Sequence, residues 1–183
     1  MRRPTRMLAG LIVILSISFV LPSSAFAQYS GVAKQRRHEK NLPSNLLRFD
    51  VSDFDVLSDE KWERLTESHA RTVVVHWPDG RQTKGLEKHV HSLKAMFDYA
   101  PDARVRSHRV KFGSADWTCV ISQIEGTFTR PWHSSVGKEI RPNGKRFLIS
   151  ICTVRHWNKK GLIEEEYLFW DNQHLMRQLG LTR

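Results

Sequence analysis

The densest cluster of reactive residue types lies near the C-terminus, in Gly161-Leu162-Ile163-Glu164-Glu165-Glu166-Tyr167-Leu168-Phe169-Trp170-Asp171-Asn172. The pattern predicts an aromatic strand that delivers one aspartate at its tip, followed by a short helix that stops at Gly180. A carboxylate facing an aromatic cavity is poorly solvated. Its pKa rises toward the working pH, which suits proton abstraction beside a carbonyl. Side chains alternate along a strand, so Glu165, Tyr167 and Phe169 share a face with Asp171 and are expected to line the same surface. Asp171 also directly precedes a helix, where an aspartate serves equally well as N-cap.

Histidines supply the candidate proton partners, because imidazole titrates near neutrality. His156 alternates with Cys152 and Val154 on the preceding strand and is the expected partner of Asp171; a strand-edge surface position is the other reading. His76 and Trp77 stand at a strand end before a sharp turn and are read as the cavity mouth, or as local turn packing. His89 flanks an apolar helix stripe and His108 lies in a strand, so each is either a pocket residue or a hydrogen-bonded, half-buried histidine. The chain has nine histidines, which raises the question of a metal. No His-x-x-x-His pair or His-Glu-x-x-His motif occurs, so neither metal nor cofactor is expected. Serine-nucleophile elbows, phosphate loops and dinucleotide fingerprints are absent too.

Several elements must position these residues. Ser58 can cap a helix that carries Trp62, Leu65 and His69 on one face. Thr72 to Trp77 reads as a strand ended by Pro78-Asp79-Gly80. A helix is predicted from Leu86 to Ala100, with Leu86, Val90, Leu93, Met96 and Phe97 as its apolar stripe. Four strands follow, over 105–112, 117–128, 147–157 and 162–170. Helices first and consecutive antiparallel strands afterwards give an α+β domain with helices on one face of a curved sheet. Cys119 and Cys152 fall almost opposite each other if their strands form a hairpin centred near residue 135. That geometry permits a bridge, although buried free thiols are common fillers.

The N-terminus reads as a targeting segment. Arg2, Arg3 and Arg6 precede an uncharged run, Met7 to Val20, and an Ala25-Phe26-Ala27 cleavage pattern. The run is shorter than the span of about 20 residues that a membrane helix needs. Residues 1–27 are therefore read as a signal peptide, residues 28–45 as a flexible basic arm and 46–183 as the domain. The mature protein is expected to be exported, periplasmic or secreted, with no stable membrane anchor. Cleavage leaves 183 − 27 = 156 residues, enough for one domain with its own core. Its charge falls from +10 to +7, and the scattered basic residues read as solvated surface, not as a nucleic-acid footprint.

Four stretches carry a family resemblance: His76-Trp77-Pro78-Asp79-Gly80 with Gly85 and His89; Ala100-Pro101-Asp102-Ala103-Arg104; Trp117-Thr118 with Glu125-Gly126-Thr127-Phe128-Thr129; and Glu165 to Asn172 with Gln178-Leu179-Gly180. In order and spacing the chain resembles the SnoaL-like polyketide cyclases, or ester cyclases, of the nuclear-transport-factor-two-like superfamily. The resemblance implies a cone-shaped, curved antiparallel sheet packed against N-terminal helices, with an internal pocket, and homodimers as in many members. It further implies cofactor-free acid/base catalysis of an intramolecular aldol closure. Asp171 matches the family's acid/base position, and His156 is nearest to its assisting histidine. The expected function is a cyclase-, isomerase- or hydrolase-type enzyme on a small apolar carbonyl or ester compound. A non-catalytic pocket that binds a ligand or partner is the alternative. A buried acid–histidine pair would favour catalysis; an acid that only caps a helix would favour binding.

Overall fold

Buried and less buried positions alternate along 117–127 and 146–157, which gives the sheet one dry face. The computed structural model describes residues 41–133 and 139–182. The anticipated signal peptide and residues 28–40 of the basic arm lie outside the described residues. Among the described residues, no helix is long and apolar enough to cross a membrane.

The chain enters through α1 (Leu42–Asp50), a π-helical segment (Val51–Leu57) and a 3-10 segment (Trp62–Glu67). Strands β1 (His69–His76) and β2 (Gln82–Lys84) flank the Pro78-Asp79-Gly80 turn, and α2 (Leu86–Tyr99) follows. Then come β3 (Arg104–Ser114), β4 (Trp117–Thr127), the short β5 (Trp132–His133) and β6 (Glu139–Ile140), β7 (Arg146–Trp157), β8 (Ile163–Phe169) and α3 (Asn172–Leu179). Six strands form one sheet in the order β2-β1-β8-β7-β4-β3. It is an α+β fold, as expected, with one departure. β1 runs parallel to β8, so the sheet is mixed and not purely antiparallel.

The inner face carries Val120, Ser122 and Ile124 from β4, and Ile149, Ile151, Thr153, Arg155 and Trp157 from β7, all buried. Phe49, Val56, Leu65, Leu86 and Phe97 of the helical layer close over it. Each such side chain gains about 1.5–3 kcal/mol on burial, which is what holds the layers together. Gly126 marks a close approach. A Cβ there would stand 2.7 Å from Phe147 Cζ and 3.3 Å from Ala100 Cβ, so only glycine lets the layers meet. Gly180, at φ 72°, ends α3 as expected, its N–H bonding back to Arg177 and Met176 carbonyls.

Four local expectations change. The arm ends earlier than residue 45, because α1 begins at Leu42 and buries Asn45 and Phe49. No helix starts at Ser58. Its hydroxyl donates to the Asp53 carbonyl and accepts from the Val105 N–H, so it ties off the π segment against β3. His69, expected on a helix face, opens β1 instead. Cys119 sits opposite Val154 and Cys152 opposite Ile121, so the cysteines are diagonal neighbours. Their sulfurs lie 3.7 Å apart and both thiols are free.

Candidate functional site

Which face a strand residue occupies decides what it can do, and the register of β8 sets this for the anticipated residues. Tyr167 pairs with Val154 and His76, and Glu165 with His156 and Val74. All of these lie on the outer face, away from the helices. Register shifts in both pairings flanking β8 make this possible. Ile163 and Leu168, an odd number of residues apart, are both buried, so the alternation slips once between them.

Asp171, expected to reach an interior pocket, is the N-cap of α3. Its Oδ1 accepts from the His174 N–H at 2.9 Å, and its side chain is 63% exposed. The carboxyl is held below its ordinary value, chiefly by that backbone hydrogen bond. A water-exposed, stabilised carboxylate is a weak base, so the interior role is corrected to a capping one. His156, its expected partner, stacks on Trp117 at 4.4 Å on the outer face and contacts Glu164 (3.1 Å) and Asp116 (3.5 Å). The two residues do not meet as a pair, because His156 stands opposite Glu165, at the other end of β8 from Asp171.

Glu165, Tyr167 and His76 do come together, but on the outer face. Glu165 Oε1 accepts from the Tyr167 hydroxyl at 2.7 Å and lies 2.9 Å from His76 Nε2, while the His76 and Tyr167 rings stack at 4.1 Å. Hydrogen bonds with Tyr167 and His76 lower the Glu165 pKa, and the bond to Glu165 raises that of Tyr167. Phe169 points outward and is exposed. These residues share one surface, as strand parity requires, yet it is not the interior. Trp77, by contrast, is buried, with its indole N–H on Thr83 and its ring 5.9 Å from His89. His108 is buried against Asp50 (2.7 Å) and Asp53 (3.1 Å).

The interior chemistry gathers around Glu166, one residue from the anticipated Glu165. Glu166 stands directly opposite Arg155 on β7 and is 1% exposed. Arg155 Nε donates to Glu166 Oε1 at 2.6 Å, and its Nη2 donates to Asp53 Oδ1 at 3.0 Å. Its guanidinium also lies 3.7 Å over the Phe49 ring. Asp53 comes from the π-helical segment, a distortion that often marks working sites. His89, from the first turn of α2, brings Nε2 to 3.3 Å from Glu166 Oε2. His69 lies 5.2 Å from His89, ring to ring, and its Nδ1 is 2.9 Å from Ser68 Oγ. Both histidines are 2% exposed.

Burial sets the protonation of this cluster. It pushes the His69 imidazole down to about 3 and lowers His89, with Glu166 opposing in both cases; each ring is neutral near pH 7. Burial also works against a charged Glu166, but the Arg155 guanidinium outweighs it and brings that carboxyl down to about 2. Arg155 loses to burial and gains more from Asp53 and Glu166, so its pKa rises. The centre thus combines two neutral imidazoles with a carboxylate–guanidinium–carboxylate bridge. Three buried side-chain atoms have no hydrogen-bond partner among the described residues: His69 Nε2, His89 Nδ1 and Arg155 Nη1. A cleft of about 1510 Å³ opens elsewhere, lined among others by Arg48, Arg71, His156 and Lys159; none of Glu166, His69 and His89 lines it.

Sequence reasoning reached His89 and missed Asp53, His69, Arg155 and Glu166 as site residues. A signal for Arg155 was present. It shares parity with Phe147, Ile149 and Ile151, so an arginine was due on the apolar face. Glu164-Glu165-Glu166 offered three carboxylates in one strand, without a way to select the inward one.

The model of the SnoaL-like polyketide cyclase family matches residues 50–179. No curated protein matches the chain. Several solved structures share its fold. A protein from Jannaschia sp. CCS1 described as a SnoaL-like polyketide cyclase superposes with TM-score 0.65 at 16% identity, over 79% of this chain and 95% of that one. A SnoaL-like polyketide cyclase from Agrobacterium tumefaciens C58 gives TM-score 0.57 at 19% identity, over 76% and 98%. AclR from Streptomyces galilaeus, described as a hydroxylase, gives 0.61 at 11% identity, over 79% and 83%. At these identities the likeness is one of fold.

Proposed function

The chain belongs to the SnoaL-like polyketide cyclase family, and from this premise we propose that it is a small-molecule enzyme moving protons on a carbonyl or ester compound, with Glu166, His89, His69 and Arg155 as its working centre. One observation carries the reading. All three buried side-chain atoms without a hydrogen-bond partner among the described residues belong to this single cluster. Buried polar groups are almost always paired, so three such atoms in one cluster are donors and acceptors that a bound molecule can satisfy.

The roles follow from the chemistry of each atom. The unpartnered nitrogen of a neutral imidazole carries the lone pair that accepts the proton, on a ring that burial makes a weaker base than free histidine. The Glu166 carboxylate stabilises the imidazolium that results, as a buried acid behind a catalytic histidine does. The free Arg155 Nη1 N–H donates to the oxygen on which negative charge grows when a proton leaves the adjacent carbon. Asp171 only caps a helix, which alone would favour a binding protein. The Glu166–His89 pair is the buried acid–histidine contact that favours catalysis. Apolar rings at its sides, Trp77 at 5.9 Å from His89 and Phe49 under the Arg155 guanidinium, fit a small, largely apolar substrate. Admission requires the helical layer to part from the sheet, because the cluster is closed to water.

Proton exchange tests this without knowledge of the natural substrate. A panel of small ketones, β-keto compounds and esters is incubated with the protein in D2O, and deuterium uptake at the α-carbon is read by NMR. Catalysed exchange should vanish in Glu166→Gln and persist in Asp171→Asn, since asparagine caps helices as well as aspartate. Exchange lost in Asp171→Asn and kept in Glu166→Gln sinks the assignment.

Export with removal of residues 1–27 belongs to the same reading; a secreted or periplasmic chain whose N-terminus is not Gln28 speaks against it. The outer sheet face, with Phe112, Trp117 and Phe169 exposed, is where a second copy would pack. A monomer in sedimentation at micromolar concentration removes that element.

A further inference from the structure

We propose that His69, His89 and Glu166 also form a binding site for a divalent transition-metal ion of the zinc class. The three residues come from β1, α2 and β8, and one ligand atom of each lies within 4.8 Å of the others. The best-defined edge is already at ligand spacing. His89 Nε2 and Glu166 Oε2 are 3.3 Å apart, and two corners of a tetrahedron about 2.0–2.1 Å from a zinc ion are separated by about 3.3 Å. Two nitrogens and one carboxylate oxygen suit zinc, cobalt or iron over magnesium or calcium, which prefer all-oxygen shells.

The surroundings hold His69 and Glu166 as metal ligands are usually held. Ser68 Oγ lies 3.4 Å from the Leu65 carbonyl, to which its hydroxyl donates. The Ser68 oxygen and His69 Nδ1 are 2.9 Å apart; in the tautomer with the proton on Nδ1 the ring donates to that oxygen and carries its bare lone pair on Nε2, the nitrogen without a partner among the described residues. Arg155 grips Glu166 Oε1 and leaves Oε2 toward the histidines. Outer partners of this kind fix tautomer and ring orientation at metal sites.

The inference goes beyond the proton-transfer reading and does not depend on it. The two compete, because an ion would take the Glu166 Oε2 that stands behind His89 in proton transfer. The test uses the purified chain stripped with a chelator and titrated with Zn²⁺ by calorimetry and with Co²⁺ by visible absorption. One ion per chain is expected, with cobalt bands of nitrogen–oxygen ligation. Ser68→Ala should weaken zinc by about 10–100-fold, and His69→Gln should abolish stoichiometric binding. His156→Gln and Cys119→Ser, on the outer face, should bind as the wild type does. Undiminished binding by His69→Gln, no binding by the wild type, or loss in the outer-face variants overturns the proposal. If His69→Gln fails to fold, the wild-type cobalt spectrum decides, since a thiolate charge-transfer band would place the ion at the cysteines. Catalysed α-proton exchange by chelator-treated protein that takes up no zinc removes this inference and leaves the proposed function standing.

Discussion

Acid should unfold this protein partly through His69, and the size of the effect can be worked from the structure. Burial brings the folded imidazole down to about 3 from an ordinary 6.5. Its neighbours are Glu166, His89, Arg155 and Ser68. Below pH 6.5 the unfolded chain binds a proton at this position that the folded chain refuses. Stability is therefore lost as pH falls from 6.5 toward 3, the direction expected of a base whose folded pKa is depressed. At pH 5 the gap is about 1.5 units, or about 2 kcal/mol at 1.36 kcal/mol per unit. Glu166, already ionised down to about 2, adds little above pH 5. His69→Asn keeps an amide donor toward Ser68 but cannot titrate. Urea unfolding at pH 7.5 and pH 5, followed by the fluorescence of buried Trp157, gives the pH loss within each protein, so the cost of the substitution itself cancels. The wild type should lose about 2 kcal/mol more than His69→Asn, about 1 M in midpoint for a slope near 2 kcal/mol/M. His89 shifts in the same direction but is present in both proteins. Equal losses in the two proteins would refute the buried, neutral His69.

Two further outcomes test the rest of the molecule. Arg155→Met leaves Asp53 and Glu166 buried without their bridge, and should cost about 3–5 kcal/mol in urea unfolding at pH 7.5; a loss below 1 kcal/mol would mean that the bridge is open to water. Burial and the neighbouring Cys152 push the Cys119 thiol up to about 11, so iodoacetamide at pH 8 should modify it on the order of 100-fold more slowly than free cysteine. Mass spectrometry of the labelled peptide reads that rate, and labelling as fast as free cysteine would contradict the assigned surroundings.

Much of the architecture was legible because it is written in local periodicity. The apolar stripe from Leu86 to Phe97 requires a helix, Pro78-Asp79-Gly80 requires a turn, and the run from Phe147 to Trp157, rich in β-branched and aromatic residues, reads as a strand. Gly180 stops α3 because a left-handed residue must sit there. Asp171 was legible as a cap as soon as a helix followed it. These signals span a turn or a strand and owe nothing to distant residues.

The site is another matter. The sequence by itself determined the α+β class, the strands and the fact that one face of β8 must meet the helices. Only the tertiary structure decided which face. A single slip between Ile163 and Leu168, matched to the parallel docking of β1, turns Glu166 inward and sends Glu165, Tyr167 and Phe169 outward. Side chains alternate with a period of two, so one irregular residue exchanges every position beyond it. His69, His89 and Glu166 meet through the packing of β1, α2 and β8, and no spacing along the chain encodes a contact made by the folding of layers onto one another.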